Sequence, residues 1–142
     1  MRNRSTKVFI TLGMILLIIS NILTATWVKK STERQILERQ FSIAMHTANS
    51  YFDMYEQTGR YHDMALATSA WGTGVQIAFQ FEDESRIFRE RNMLNQVYYE
   101  LQSGESEIST KDVSMVCKKL AEDPHDMTAY AELNEIFNLI SH

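Results

Sequence analysis

One cysteine, one proline and five glycines are all that 142 residues hold of the side chains that staple or break a chain. With Cys117 alone, no disulfide and no thiolate metal cage can form within the chain, and a lack of disulfides fits either side of a membrane. With so few breakers, long uninterrupted helices are expected, and no stretch reads as a strand. Positive charge is also scarce. Arg2, Arg4 and Lys7 precede every acidic residue, so from Lys29 onward eleven Lys and Arg face eighteen Asp and Glu, a net charge of −7 within a whole-chain value of −4. Such a domain repels DNA and RNA, and nucleic-acid binding is not expected.

The spacings that carry catalysis are missing too. His46, His62, His125 and His142 stand far apart with no H-E-x-x-H pairing, and no serine sits in a nucleophile elbow. His46 and Asp53, seven apart on one helix face, make two ligands where a metal site needs more. Cys117 lies beside Val116 on an apolar stripe and reads as a small core side chain, because Lys118 and Lys119 supply only half the setting of a reactive thiolate. Gly72-Thr73-Gly74 lacks the third glycine and the lysine of a phosphate loop. Glu82-Asp83-Glu84 lacks the turn glycine of a calcium loop. The expectation is no cofactor, no metal and no enzymatic activity. A hydrolase resting on Cys117 or the histidines is the rival, and it predicts loss of activity when they are changed.

What is abundant is apolar length. From Val8 to Val28 no residue is charged, and 21 residues rising ~1.5 Å each span roughly 30 Å, the thickness of a hydrocarbon core. The run is cut away as a signal, buried in a soluble core, or left across a bilayer. A secretory apolar region is typically ~7 to 15 residues, shorter than this one. Leu23-Thr24-Ala25 and Ala25-Thr26-Trp27 put a bulky residue where cleavage requires a small one. The resulting division is a short basic cytoplasmic tail (1–7), a transmembrane helix (8–28) and a helical domain (29–142).

Trp27, Lys29 and Lys30 read as an interfacial anchor, a ring at headgroup depth with ammonium groups beyond it. Positive charges nearly balance across the run, but a basic tail before a long apolar stretch has the form of a signal anchor. The expected location is the plasma membrane, single-pass, with the amino terminus cytoplasmic and the main domain extracytoplasmic. Asn21 either makes an intramembrane contact with a neighbouring helix or reaches interfacial water.

Beyond the anchor, periodicity places helices near 31–57, 61–103 with a break or kink near 72–85, 110–122 and 124–140. Gly59 and Gly104 are stops, and Ser109 caps the third domain helix with Asp112 three residues on. Asp123 reads as the cap of the last helix, with Pro124 at its first position. Gly72 and Gly74 mark a kink or a close approach of another helix. Leu37, Phe41, Ala44, Ala48, Tyr51 and Tyr55 form a heptad stripe, widened by Met45 and Phe52, that is either a partner face or core. Too few heptads are present to specify a coiled coil, which favours packing within the chain. Aromatic residues crowd positions 41 to 81 and make either a closed core or an open groove for a small molecule or a peptide helix.

The fold expected is all-α, a single N-terminal transmembrane helix continuing into a small bundle of about four helices. The function expected is a single-pass, membrane-anchored, non-catalytic interaction or scaffold protein that engages a protein partner or itself through its helices. One alternative is an extracytoplasmic ligand-sensing bundle acting through a membrane partner. The other is a helical domain secreted after signal cleavage.

Overall fold

The structure, a computed structural model, describes residues 2–82, 85–104 and 108–140, with the side chains of 2–12 and 140 excepted. Asp83 and Glu84 of the acidic triplet, most of the loop after Gly104, and His142 lie outside the described residues. Among those described the chain forms five helices and no strand: α1 (Arg2–Thr58), α2 (Tyr61–Ala78), α3 (Arg86–Ser103), α4 (Thr110–Glu122) and α5 (Met127–Ile140). It divides into two compact units, Met1–Gln35 and Ile36–His142.

In the first unit, every described residue from Gly13 to Lys30 is exposed. Ile15, Leu16, Leu17, Ile18 and Leu23 leave half or more of their surface uncovered. A helix apolar on all faces with nothing packed on it is not built as the core of a soluble domain. By length and composition it is the one candidate membrane span among the described residues, and a signal sequence passes the same test. Thr24 and Thr26 turn their hydroxyls back to the carbonyls of Ser20 and Ile22, both at 2.8 Å. That leaves these polar groups satisfied inside the helix.

In the second unit the elements end where local chemistry dictates. Gly59 stops α1 with φ +64, a left-handed conformation that costs a residue without Cβ nothing, and its N–H donates to the Tyr55 carbonyl at 2.7 Å. Asp63, on the first turn of α2, ties this corner by accepting from the Thr58 hydroxyl at 2.7 Å and from Arg60 Nε at 3.0 Å. Ser85 caps α3, with Phe88 N–H donating to its hydroxyl at 3.3 Å, and Gly104 at φ +68 ends it. Ser109 caps α4 as its spacing predicts, accepting from Asp112 N–H at 3.3 Å.

The break expected near 72–85 falls after Ala78, where Gln80 N–H folds back to the Ile77 carbonyl at 2.9 Å, and α2 runs unbroken through Gly72 and Gly74. One expectation is corrected. α5 begins at Met127, not at Pro124. The backbone of Asp123, the residue before proline, is extended at φ −141, and its carboxylate accepts from His125 N–H at 2.9 Å to form a turn. The cap is Asp126, which accepts from Thr128 N–H at 2.7 Å and Ala129 N–H at 3.3 Å.

The core joins Phe41, Met45 and Phe52 of α1 to Trp71, Ile87, Leu94, Leu120 and Leu133, all fully buried. Trp71 spans it, donating its indole N–H to the Leu94 carbonyl at 3.0 Å. Arg86 of α3 lies over the Tyr130 ring of α5, 5.5 Å from its centroid, and Lys119 pairs with Glu132 between α4 and α5.

Candidate functional site

Among the described residues of the Ile36–His142 unit, two concavities are shaped in part by the glycines of α2. Residues two apart on a helix point to nearly opposite sides. A Cβ on Gly72 would stand 2.6 Å from Cε2 of Tyr98, and one on Gly74 would collide with Met45 Cε. α2 is thus approached closely by α3 on one side and by α1 on the other. Both glycine N–H groups lie within the helical ladder, which leaves no open loop there to cradle a phosphate.

The larger concavity, about 960 Å³, runs along α2 from Tyr61 to Gln76, beside the end of α1, the end of α3 and the start of α4. Tyr55, Tyr61 and Tyr98 line it from three helices, together with Thr68, Gln76 and Gln102. Its charged groups are Glu56, which accepts from the Thr110 hydroxyl, and the exposed Lys111. The smaller, about 510 Å³, runs between α1 and α2 past Ile43, Ala44, Tyr51, Leu66, Ala70 and Ile77. None of its lining residues is Asp, Glu, Lys, Arg or His. Ile43 is 56% exposed there, and Ile36, one heptad earlier, 51%.

The sequence-derived stripe divides between these places. Phe41, Ala44 and Ala48 are buried in the core, and Leu37 is half-buried against it. Tyr51 borders the smaller groove and Tyr55 the larger. Trp27 is 72% exposed, Val28, Lys30 and Asn21 are exposed, and Lys29 lies 3.8 Å from Glu33. Val8 lies within α1. Ile36 and Ile43 were overlooked in the sequence, although their seven-residue spacing beside Leu37 and Ala44 was the available signal.

The polar clusters elsewhere are structural in geometry. The Ser114 hydroxyl sits 2.7 Å from Asp53 Oδ1 and 2.9 Å from Asn49 Oδ1, joining α4 to α1. Its single proton serves one acceptor at a time. His125 Nε2 lies 2.8 Å from Glu38 Oε1, which fastens the α4–α5 turn to α1. Cys117 is fully buried. Loss of hydration, then the nearby Asp53 charge, pushes its thiol well above the ordinary range, away from the thiolate a nucleophile needs. Burial, then Glu90, likewise raises the Tyr130 phenol, which donates to the Pro124 carbonyl at 2.9 Å. Among the described residues no group of three His, Cys, Asp or Glu is placed to hold a metal ion.

No family model matches the chain, and neither a characterised protein nor a solved structure resembles it significantly.

Proposed function

We propose that this chain is a membrane-tethered interaction module, anchored by the run Val8–Val28 with its domain on the extracytoplasmic side, and that it acts by binding rather than by catalysis. The observation that carries the reading is the uncharged groove between α1 and α2. The domain bears a net charge of −7, so two copies repel least along the face where charge is absent. Ile36 and Ile43, exposed and one heptad apart, offer that face an apolar ridge beside the groove. Its occupant is therefore taken to be the same face of a second copy. A shared anchor confines both copies to one side of one bilayer and raises their effective concentration, so a modest interface suffices.

The test uses the full-length chain in its own membranes. Ile43→Cys supplies an accessible thiol, Cys117 being buried. A short bis-maleimide is expected to give a species of twice the chain mass from Ile43→Cys and not from Glu122→Cys at the far end of α4. A heavier adduct containing a different protein would keep the interaction reading and replace the second copy. Absence of any adduct specific to Ile43→Cys, or release of the unprocessed chain by alkaline carbonate, would overturn the proposal.

A further inference from the structure

Asn21 carries the one carboxamide of the apolar run, and among the described residues that exposed side chain makes no hydrogen bond to the protein. The threonines nearby behave differently. Thr24 and Thr26 each give their single hydroxyl proton to a carbonyl of their own helix. A carboxamide has two N–H donors and an acceptor oxygen, and Asn21 makes no such return. The inference drawn from this rests on the membrane reading proposed above. With Trp27 at headgroup depth, Asn21 lies roughly 9 Å further in at ~1.5 Å per residue. Its side chain is too short to reach water across that distance, so hydrocarbon leaves it desolvated and unpaired. A partner has to come from beside the helix.

The surroundings of Asn21 say which partner fits. Met14, Leu17, Asn21, Thr24 and Val28 follow one another at alternating steps of three and four, which sets them along one helix face, all exposed and none charged. Ala25 flanks that face, and with Thr24 it keeps side-chain bulk low where a second backbone would approach. A carboxamide is complementary to itself. When two copies of one topology pack in parallel, their Asn21 residues stand at the same depth, and each donates to the other's oxygen across the twofold axis. A different membrane protein would have to carry a polar group at that same depth. We propose that this face is a transmembrane dimer seam whose occupant is the same face of a second copy, with Asn21 paired to Asn21 to fix its register. The seam uses no residue of the groove between α1 and α2.

The test places single cysteines in the full-length chain in its own membranes and oxidises them with copper phenanthroline. Leu17→Cys lies on the seam and Ile19→Cys on the far side of the helix. Cys117 is fully buried, so the parent chain is the blank. A disulfide-linked species of twice the chain mass is expected from Leu17→Cys and not from Ile19→Cys. Adding Asn21→Leu should lower its yield at least about threefold, the scale of interhelical hydrogen bonds in membranes, while Asn21→Gln, which keeps a carboxamide, should retain most of it. The series is repeated with Ile43→Glu, which puts a charge on the groove face, so a disulfide that persists there belongs to the span. Equal yields from Leu17→Cys and Ile19→Cys, an unchanged yield with Asn21→Leu, or a disulfide lost with Ile43→Glu would overturn the seam. Every variant is also extracted with alkaline carbonate. Release overturns the tether and the seam together, whereas retained chain with no disulfide specific to Leu17→Cys overturns the seam alone.

Discussion

The ring of Tyr98 occupies the space that a side chain on Gly72 would need, with Cε2 only 2.6 Å from where a Cβ would be built. Gly72→Ala therefore sets two effects against each other. Alanine gains about 1 kcal/mol of helix propensity, while overpacking a close contact costs about 1–3 kcal/mol. A net loss of about 1 kcal/mol is expected in urea unfolding. In a Tyr98→Ala background the same change should become neutral or stabilising. Additive effects in that double-mutant cycle would mean that the contact does not constrain α2.

Trp71→Phe removes the indole N–H that serves the Leu94 carbonyl and leaves a void in a region with no exposed surface. A cost of about 2 kcal/mol or more is expected from the lost bond and the cavity together. The check is a lower urea midpoint at unchanged slope. A loss below about 0.5 kcal/mol would show that the core closes around the gap.

Asp63 gives stability a dependence on acid. The Thr58 hydroxyl first, and then Arg60, hold its carboxyl below its ordinary value of 3.8. A depressed carboxylate stabilises the fold fully above its unfolded pKa, and that contribution is lost as pH falls through the folded value. Asp126, held down by the hydroxyl and N–H of Thr128, acts in the same direction. Asp63→Asn should lower stability at neutral pH and flatten the decline below about pH 4. Parallel curves for wild type and variant across that range would remove Asp63 from the account.

Cys117 should resist alkylation in the native chain. Iodoacetamide at pH 8 is expected to label it only as fast as the domain opens, because the thiol is both buried and raised in pKa. Stoichiometric labelling in urea, and slow labelling without it, is the expected contrast. Fast native labelling would place the thiol on the surface.

Features governed by neighbours in sequence were readable from it. Gly59, Gly104 and the Ser109 cap depend on a few adjacent residues, and the structure has them where the pattern does. Asp123 and Asp126 show the limit. Both suit a cap equally well, and the choice rests on which carboxylate collects the helix N–H groups once Pro124 has forced its predecessor into extended backbone. Gly72 and Gly74 left a kink and a close helix approach equally open, and the structure has the approach, since Tyr98 and Met45 fill the space beside them. The larger groove was beyond reach, because residues 55, 61 and 98 come to line it only through a bundle whose arrangement no local pattern encodes. The ridge of Ile36 and Ile43 was hidden by a stronger stripe one residue out of phase.

The chain's two tryptophans sit in opposite settings, Trp27 at 72% exposure in the apolar segment and Trp71 at 0% in the bundle. They are separate optical reporters within one polypeptide. Brominated lipid or aqueous iodide should quench the emission of the first according to the medium around it, while the second stays shielded until the bundle melts. A single preparation can thus reveal by fluorescence alone whether the segment meets hydrocarbon and whether the domain beside it remains folded.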